Sequence, residues 1–140
     1  MSEDNRIEAP RIYPTFRYRN SGAMLTWLTE IVGFREIACY RADDGSVAHA
    51  ELAYGSSMIM IGHTKDDDYG AMVGQSGETG GKSIYIAVDD VDGLFQRVSS
   101  AGTTIEEGIT ERDYGSREFI CRDAEGNLWC FGTYWPKADG

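Results

Sequence analysis

Cysteine is sparse in this chain and poorly placed for cross-linking: Cys39, Cys121 and Cys130 are odd in number and show no CxxC spacing. That argues against a disulfide framework and leaves reduced thiols as the expected state. Long apolar runs are missing too, since no stretch approaches the ~20 residues a membrane-spanning helix needs. Positive charge is in short supply, with 13 Lys and Arg against 23 Asp and Glu and a net charge of −10. Such a field repels phosphates, so nucleic acid is not an expected partner. It favours a cationic ligand, although plain solubility accounts for the charge as well. The opening MSEDNRIEAP is polar and acidic, unlike a secretory signal, and with reduced thiols it points to the cytoplasm.

What is present is an ordinary globular composition, 41% hydrophobic and 26% charged over 140 residues, enough for one domain or two small halves sharing a core. Residues 1–10 read as a flexible leader ending at Pro10. Ile12–Tyr18 alternates as a strand. Asn20 or Ser21 can cap a helix with Met24, Trp27, Leu28 and Ile31 on one face, ended by Gly33. Phe34–Tyr40, Val47–Ala53 and Ser57–Ile61 read as strands, with turns at Asp43-Asp44-Gly45 and Gly55. Residues 63–82 show no periodicity, and Tyr69, Met72 and Val73 are the candidates to pin their middle. A stretch of that length is either a flap over a site or a mobile crossover. Its Asp66-Asp67-Asp68 run lacks EF-hand spacing and reads as a solvated loop, as does His63 at its start.

The order then repeats. Ser83–Val88 is a strand, Asp89 or Asp90 caps a helix with Val91, Leu94, Phe95 and Val98 inward, and Gly102 ends it. Strands follow near Thr103–Glu107 and Gly115–Cys121. Asp123-Ala124-Glu125-Gly126-Asn127 turns the last hairpin into Leu128–Thr133. The expected fold class is α+β: two tandem βαβββ modules, residues 11–62 and 83–134, forming a curved, cup-like mixed sheet with helices on the convex side. The segment 135–140 is a tail. Period-two alternation puts Ile59, Ile61, Ile84, Ile86, Val88, Trp129 and Phe131 under the helices. The opposite, concave face then carries Tyr13, Thr15, Arg17, Met58, Met60, Ser83, Tyr85 and Cys130, the candidate ligand-binding residues. His49 and Glu51 fall on that face too, two apart on one strand. They are the candidate acid–base pair, His49 as general base and Glu51 orienting it, or else a partly exposed surface pair. Tyr13 and Tyr85 can stack on a planar ligand or simply fill the cup. Cys121 and Cys130 flank the last turn and read as packing residues.

Four segments, GAMLTWLTEIVGF, HAELAYGSSMIMIG, SIYIAVDDVDGLFQRV and RDAEGNLWCFGTY, occur in the right order to resemble the vicinal-oxygen-chelate superfamily, the glyoxalase/bleomycin-resistance/dihydroxybiphenyl-dioxygenase family. The resemblance covers residues 11–134. It implies a small-molecule ligand, cationic or aromatic, and a homodimer that covers exposed sheet edges. Metal-dependent members place His, Gln or Glu at four strand positions. Those positions fall here on Tyr13, Met60, Ser83 and Cys130, so the resemblance implies a branch without a metal or other cofactor. Two functions stay open. One is a metal-independent binding protein of the kind that sequesters drugs such as bleomycin. The other is a small glyoxalase-type lyase, isomerase or dioxygenase-like enzyme using His49 and Glu51, or a metal site not recognisable from the sequence.

Overall fold

The structure is a computed structural model and describes residues 8–77 and 80–138. Most of the expected leader, two positions of the 63–82 segment and the end of the tail lie outside the described residues.

Strand β1 (Thr15–Tyr18) leads into helix α1 (Ser21–Thr26), and strands β2 (Arg35–Arg41), β3 (Val47–Tyr54) and β4 (Ser57–His63) follow. After α2 (Asp68–Val73) the order repeats with β5 (Ile84–Ala87), α3 (Val91–Ser100), β6 (Thr104–Glu111), β7 (Arg117–Arg122) and β8 (Leu128–Gly132). The chain separates into two compact units, residues 1–29 with 33–63, and residues 64–140 with 30–32. The mixed sheet expected from the repeat is realised as two four-stranded sheets, ordered β1-β4-β3-β2 and β5-β8-β7-β6. Each joins its first and last strands in parallel and its other neighbours antiparallel.

Strand register follows the alternation read from the sequence. In the first unit Ile59 and Ile61 are buried with Leu52 and Ala50, their cross-strand partners, and α1 packs on β4. In the second, Ile84 and Ile86 lie opposite Trp129 and Phe131. Those two aromatics are fully buried with Phe119 and Cys121, on the side covered by α3 through Val91, Leu94 and Val98. Phe95 completes this layer edge-on against Phe119, ring centroids 5.1 Å apart. Burial of such large rings dominates the energetics of a small core.

Four local expectations are corrected. The first helix buries Met24, Leu25, Leu28 and Val32, not the expected Trp27 and Ile31. The reason is a switch to π-helical winding over Trp27–Val32. Wider turns rotate later residues out of the 3.6-residue phase, and the Gly33 amide reaches back to the Leu28 carbonyl at 3.0 Å with φ of 108°. The 63–82 segment is not irregular throughout, because the Asp67 carboxylate accepts from the Gly70 amide at 2.7 Å and caps α2. Met72 and Val73 do not pin that segment, being 76% and 46% exposed. Its anchorage is Gly77 instead, whose φ of 82° and lack of a β-carbon let it press on the last hairpin. A β-carbon there would stand 1.9 Å from the Glu125 carbonyl oxygen. Finally, His63 does not start a solvated loop. It ends β4, half-buried, with Nδ1 3.0 Å from the buried Ser21 hydroxyl.

Candidate functional site

On the first unit's open face, Thr15 lies opposite Met60, and Met60 opposite Glu51. Alternation adds Arg17 from β1, Met58 from β4 and His49 from β3 to the same face. His49 Nε2 lies 2.9 Å from Glu51 Oε2. A carboxylate only accepts, so the ring donates from Nε2 and keeps Nδ1 as the basic atom of the neutral imidazole. Tyr40, opposite His49 in register and not singled out by sequence reasoning, stacks on the imidazole with centroids 6.2 Å apart. Both members of the pair are about two-fifths exposed, so the contact is a surface one with little net stabilisation. Tyr13 precedes β1, and its hydroxyl donates to the Pro10 carbonyl.

On the second unit's open face, Tyr85 lies opposite Cys130 and Cys130 opposite Ile120. Ser83 precedes β5 and is exposed. The Tyr85 hydroxyl donates to the Tyr134 carbonyl at 2.7 Å and accepts from the Tyr134 amide at 3.0 Å, so its polar end is committed to the chain that leaves β8. Gly132 makes room for this, since a β-carbon would come within 2.7 Å of that hydroxyl.

The centre of this face is a residue the sequence reading missed. Glu118 is 4% exposed, which no carboxylate tolerates without partners. Arg112 donates from Nε to its Oε1 at 3.1 Å and also engages Glu107, while the Tyr114 hydroxyl donates to its Oε2 at 2.7 Å. Burial alone raises the Glu118 pKa, but the Tyr114 hydroxyl and Arg112 oppose it and hold the group below the ordinary glutamate value. The same bond, with burial added, pushes the Tyr114 phenol up to about 12. A signal was available in the sequence: Glu118 is an acid two residues from Ile120 on a strand whose other face carries the core residues Phe119 and Cys121.

Cys121 and Cys130 lie on opposite faces, since Cys121 pairs with the buried Trp129 and Cys130 with Ile120. Burial first, then the charge of Asp123, pushes the Cys121 thiol up to about 12. Burial first, then Glu118, raises Cys130 to about 11. Both are therefore protonated and unreactive near neutrality. Under native conditions at pH 8, a thiol reagent such as iodoacetamide is expected to label Cys39 first and the other two only after unfolding. Mass mapping showing Cys130 labelled as fast as Cys39 would contradict that environment.

The donor chemistry does not suit a divalent ion. Tyr13 is tied to a carbonyl, Met60 offers a thioether, Ser83 a hydroxyl and Cys130 a protonated thiol whose acidic neighbour is already held by an arginine. Among the described residues no three His, Cys, Asp or Glu side chains gather as a metal-binding group. An imidazole–carboxylate set of the kind that holds zinc or manganese is not what these positions carry.

Comparison with known proteins gives a consistent result. A family model described as Glyoxalase/Bleomycin resistance protein/Dioxygenase superfamily matches residues 13–131. An uncharacterized protein of Mycobacterium bovis, Mb0911c, is 26% identical over 129 residues, covering 88% of this chain and 82% of its own. The crystal structure of TioX from Micromonospora sp. ML1 superposes with a TM-score of 0.71 at 27% identity, covering 91% of this chain and 98% of that one. Fosfomycin resistance protein FosX from Mesorhizobium loti superposes with a TM-score of 0.66 at 17% identity, over 92% and 95% of the two chains.

Proposed function

The chain belongs to the Glyoxalase/Bleomycin resistance protein/Dioxygenase superfamily, and from that premise we propose that it is a metal-independent small-molecule-binding protein, cytoplasmic and homodimeric. Its ligand is cationic or partly aromatic and lies on an open strand face, lined by Thr15, Arg17, Met58 and Met60 in the first unit or by Tyr85 and Cys130 in the second, with Tyr13 and Ser83 bordering the respective faces. One observation carries the reading. The acid best placed to serve a metal beside Cys130, Glu118, has both oxygens engaged by Arg112 and Tyr114. The net charge of −10 and the exposed phenols of Tyr40 and Tyr114 support a cationic, planar ligand through long-range attraction and cation–π contact.

The test is a titration of bleomycin into protein dialysed against EDTA, followed by calorimetry. Saturable binding is expected without added metal, and EDTA is expected to leave the melting temperature unchanged. Near-stoichiometric Zn, Mn, Fe or Ni in protein purified without chelator, with a large fall in melting temperature on chelation, would return the protein to the metalloenzymes.

A second reading has its own observation, the 2.9 Å His49–Glu51 contact, in which Nδ1 of His49 serves as general base in a small glyoxalase-type enzyme. Turnover by metal-free protein that disappears in His49→Gln would favour it.

A further inference from the structure

We propose that Glu118 and Glu107 form a recognition site for a planar cation of the guanidinium or amidinium class, and that Arg112 occupies this site as an internal stand-in for the ligand. The inference rests on the small-molecule-binding reading above and narrows its ligand class.

The geometry is that of a guanidinium clamp. Glu107 lies opposite Ile120, and Glu118 is two residues from Ile120 on β7, so both carboxylates rise from the same face of neighbouring strands. Arg112 presents Nε to Glu118 and a terminal nitrogen to Glu107, bridging the two with one planar group. A point charge such as an ammonium does not span two acceptors in that way. Tyr114 borders the clamp, with its hydroxyl on Glu118 Oε2 and its ring edge-on to Tyr134 at 5.8 Å. A planar aromatic cation entering here meets two exposed phenol rings.

A second, independent feature points to a ligand. The Ser116 hydroxyl is fully buried near Glu118 and Tyr85, yet no hydrogen bond of acceptable geometry reaches it. Its oxygen, the Glu118 Cγ and the Tyr85 hydroxyl converge on the space over Gly132, within 2.7–3.0 Å of where a β-carbon would sit. Buried hydroxyls without partners are rare, and this one keeps free lone pairs that a cationic N–H donor can use.

Arg112 is suited to leave. It opens the turn 112–116, which is closed by its own amide on the Ser116 carbonyl at 2.7 Å and by the Gly115 amide on the Arg112 carbonyl at 3.1 Å. Those backbone bonds hold the turn without the side chain, which is 27% exposed. An incoming amidinium replaces the guanidinium bond for bond, so Glu118 is never left buried and unpaired.

The test uses benzamidinium as the probe, benzamide as its neutral isostere and benzylammonium as a cation without the planar fork, each titrated calorimetrically into the full chain. Wild type is expected to bind benzamidinium weakly, because Arg112 competes. Arg112→Met, which keeps the apolar stem, is expected to bind it about tenfold more tightly or better, a difference of the size two released charge-assisted bonds permit. Adding Glu118→Gln should abolish the gain, and benzamide should bind none of the variants. Benzamidinium binding that is no tighter in Arg112→Met, or that survives Glu118→Gln, overturns the proposal. Should Arg112→Met not fold, Glu118→Gln in the wild-type background decides the question, since the weak benzamidinium binding must vanish there. Bleomycin titration of the same wild-type sample reads the broader function separately: bleomycin bound with benzamidinium refused leaves the small-molecule reading intact and removes only this site.

Discussion

Trp129→Ala is expected to destabilise the protein by about 4 kcal/mol, within the range measured for deleting a buried aromatic ring. Trp129 is fully buried, stacked on Phe131 with centroids 6.3 Å apart, and its indole nitrogen donates to Asp123 Oδ2 at 3.0 Å. Alanine therefore leaves a cavity in the α3 layer and an acceptor short of a donor. For a domain of this size the loss corresponds to a fall in melting temperature of roughly 10–20 °C. Urea denaturation should show the midpoint falling with little change in slope. Trp129→Phe isolates the indole hydrogen bond and should cost about half as much or less. A loss below 1 kcal/mol in Trp129→Ala would mean that the aromatic layer is not the stabilising centre of the second unit.

Asp123→Ala is expected to cost about 3 kcal/mol, for a different reason. Asp123 is buried, and its carboxylate accepts from the Glu125 and Asn127 amides, from Asn127 Nδ2 and from Trp129 Nε1. Truncation strips the partner from several donors at once, and an unmet buried donor costs ~1–3 kcal/mol. Asp123→Asn retains an acceptor oxygen but places an NH2 group against donors, so it should recover only part of the loss. The double variant with Trp129→Phe is expected to be less destabilised than the two single changes added together, because both remove the same indole–carboxylate bond. Strict additivity by urea denaturation would show that the bond contributes nothing.

The fold was legible because both modules write their strand faces in plain alternation. Ile59 and Ile61 in one, Trp129 and Phe131 in the other, leave no choice about which side is core. Helix starts were equally readable at Asn20-Ser21 and Asp89-Asp90, and of each pair the structure uses one residue, Asn20 and Asp90, as the cap. The π-helical winding at Trp27–Val32 was not, because a sequence carries apolar spacing but not the winding that tertiary packing imposes on it. The site was half legible. His49 and Glu51 meet as period-two placement demands. The Glu118 cluster escaped because Arg112 and Tyr114 sit in a turn, and only its fold brings them over a strand six residues away. Alternation describes strands and says nothing of where a turn lays its side chains.

The parallel pairing of first and last strands in each module has a kinetic consequence. Thr15 lies opposite Met60 and Ile84 opposite Trp129, the same separation along the chain in both. The antiparallel ladders between them join neighbours through short turns and close over small loops. The parallel contact closes the whole module, and its entropy is lost before any reward is felt. In each unit the hairpins are therefore expected to assemble first, with the leading strand docking last, onto an edge already formed.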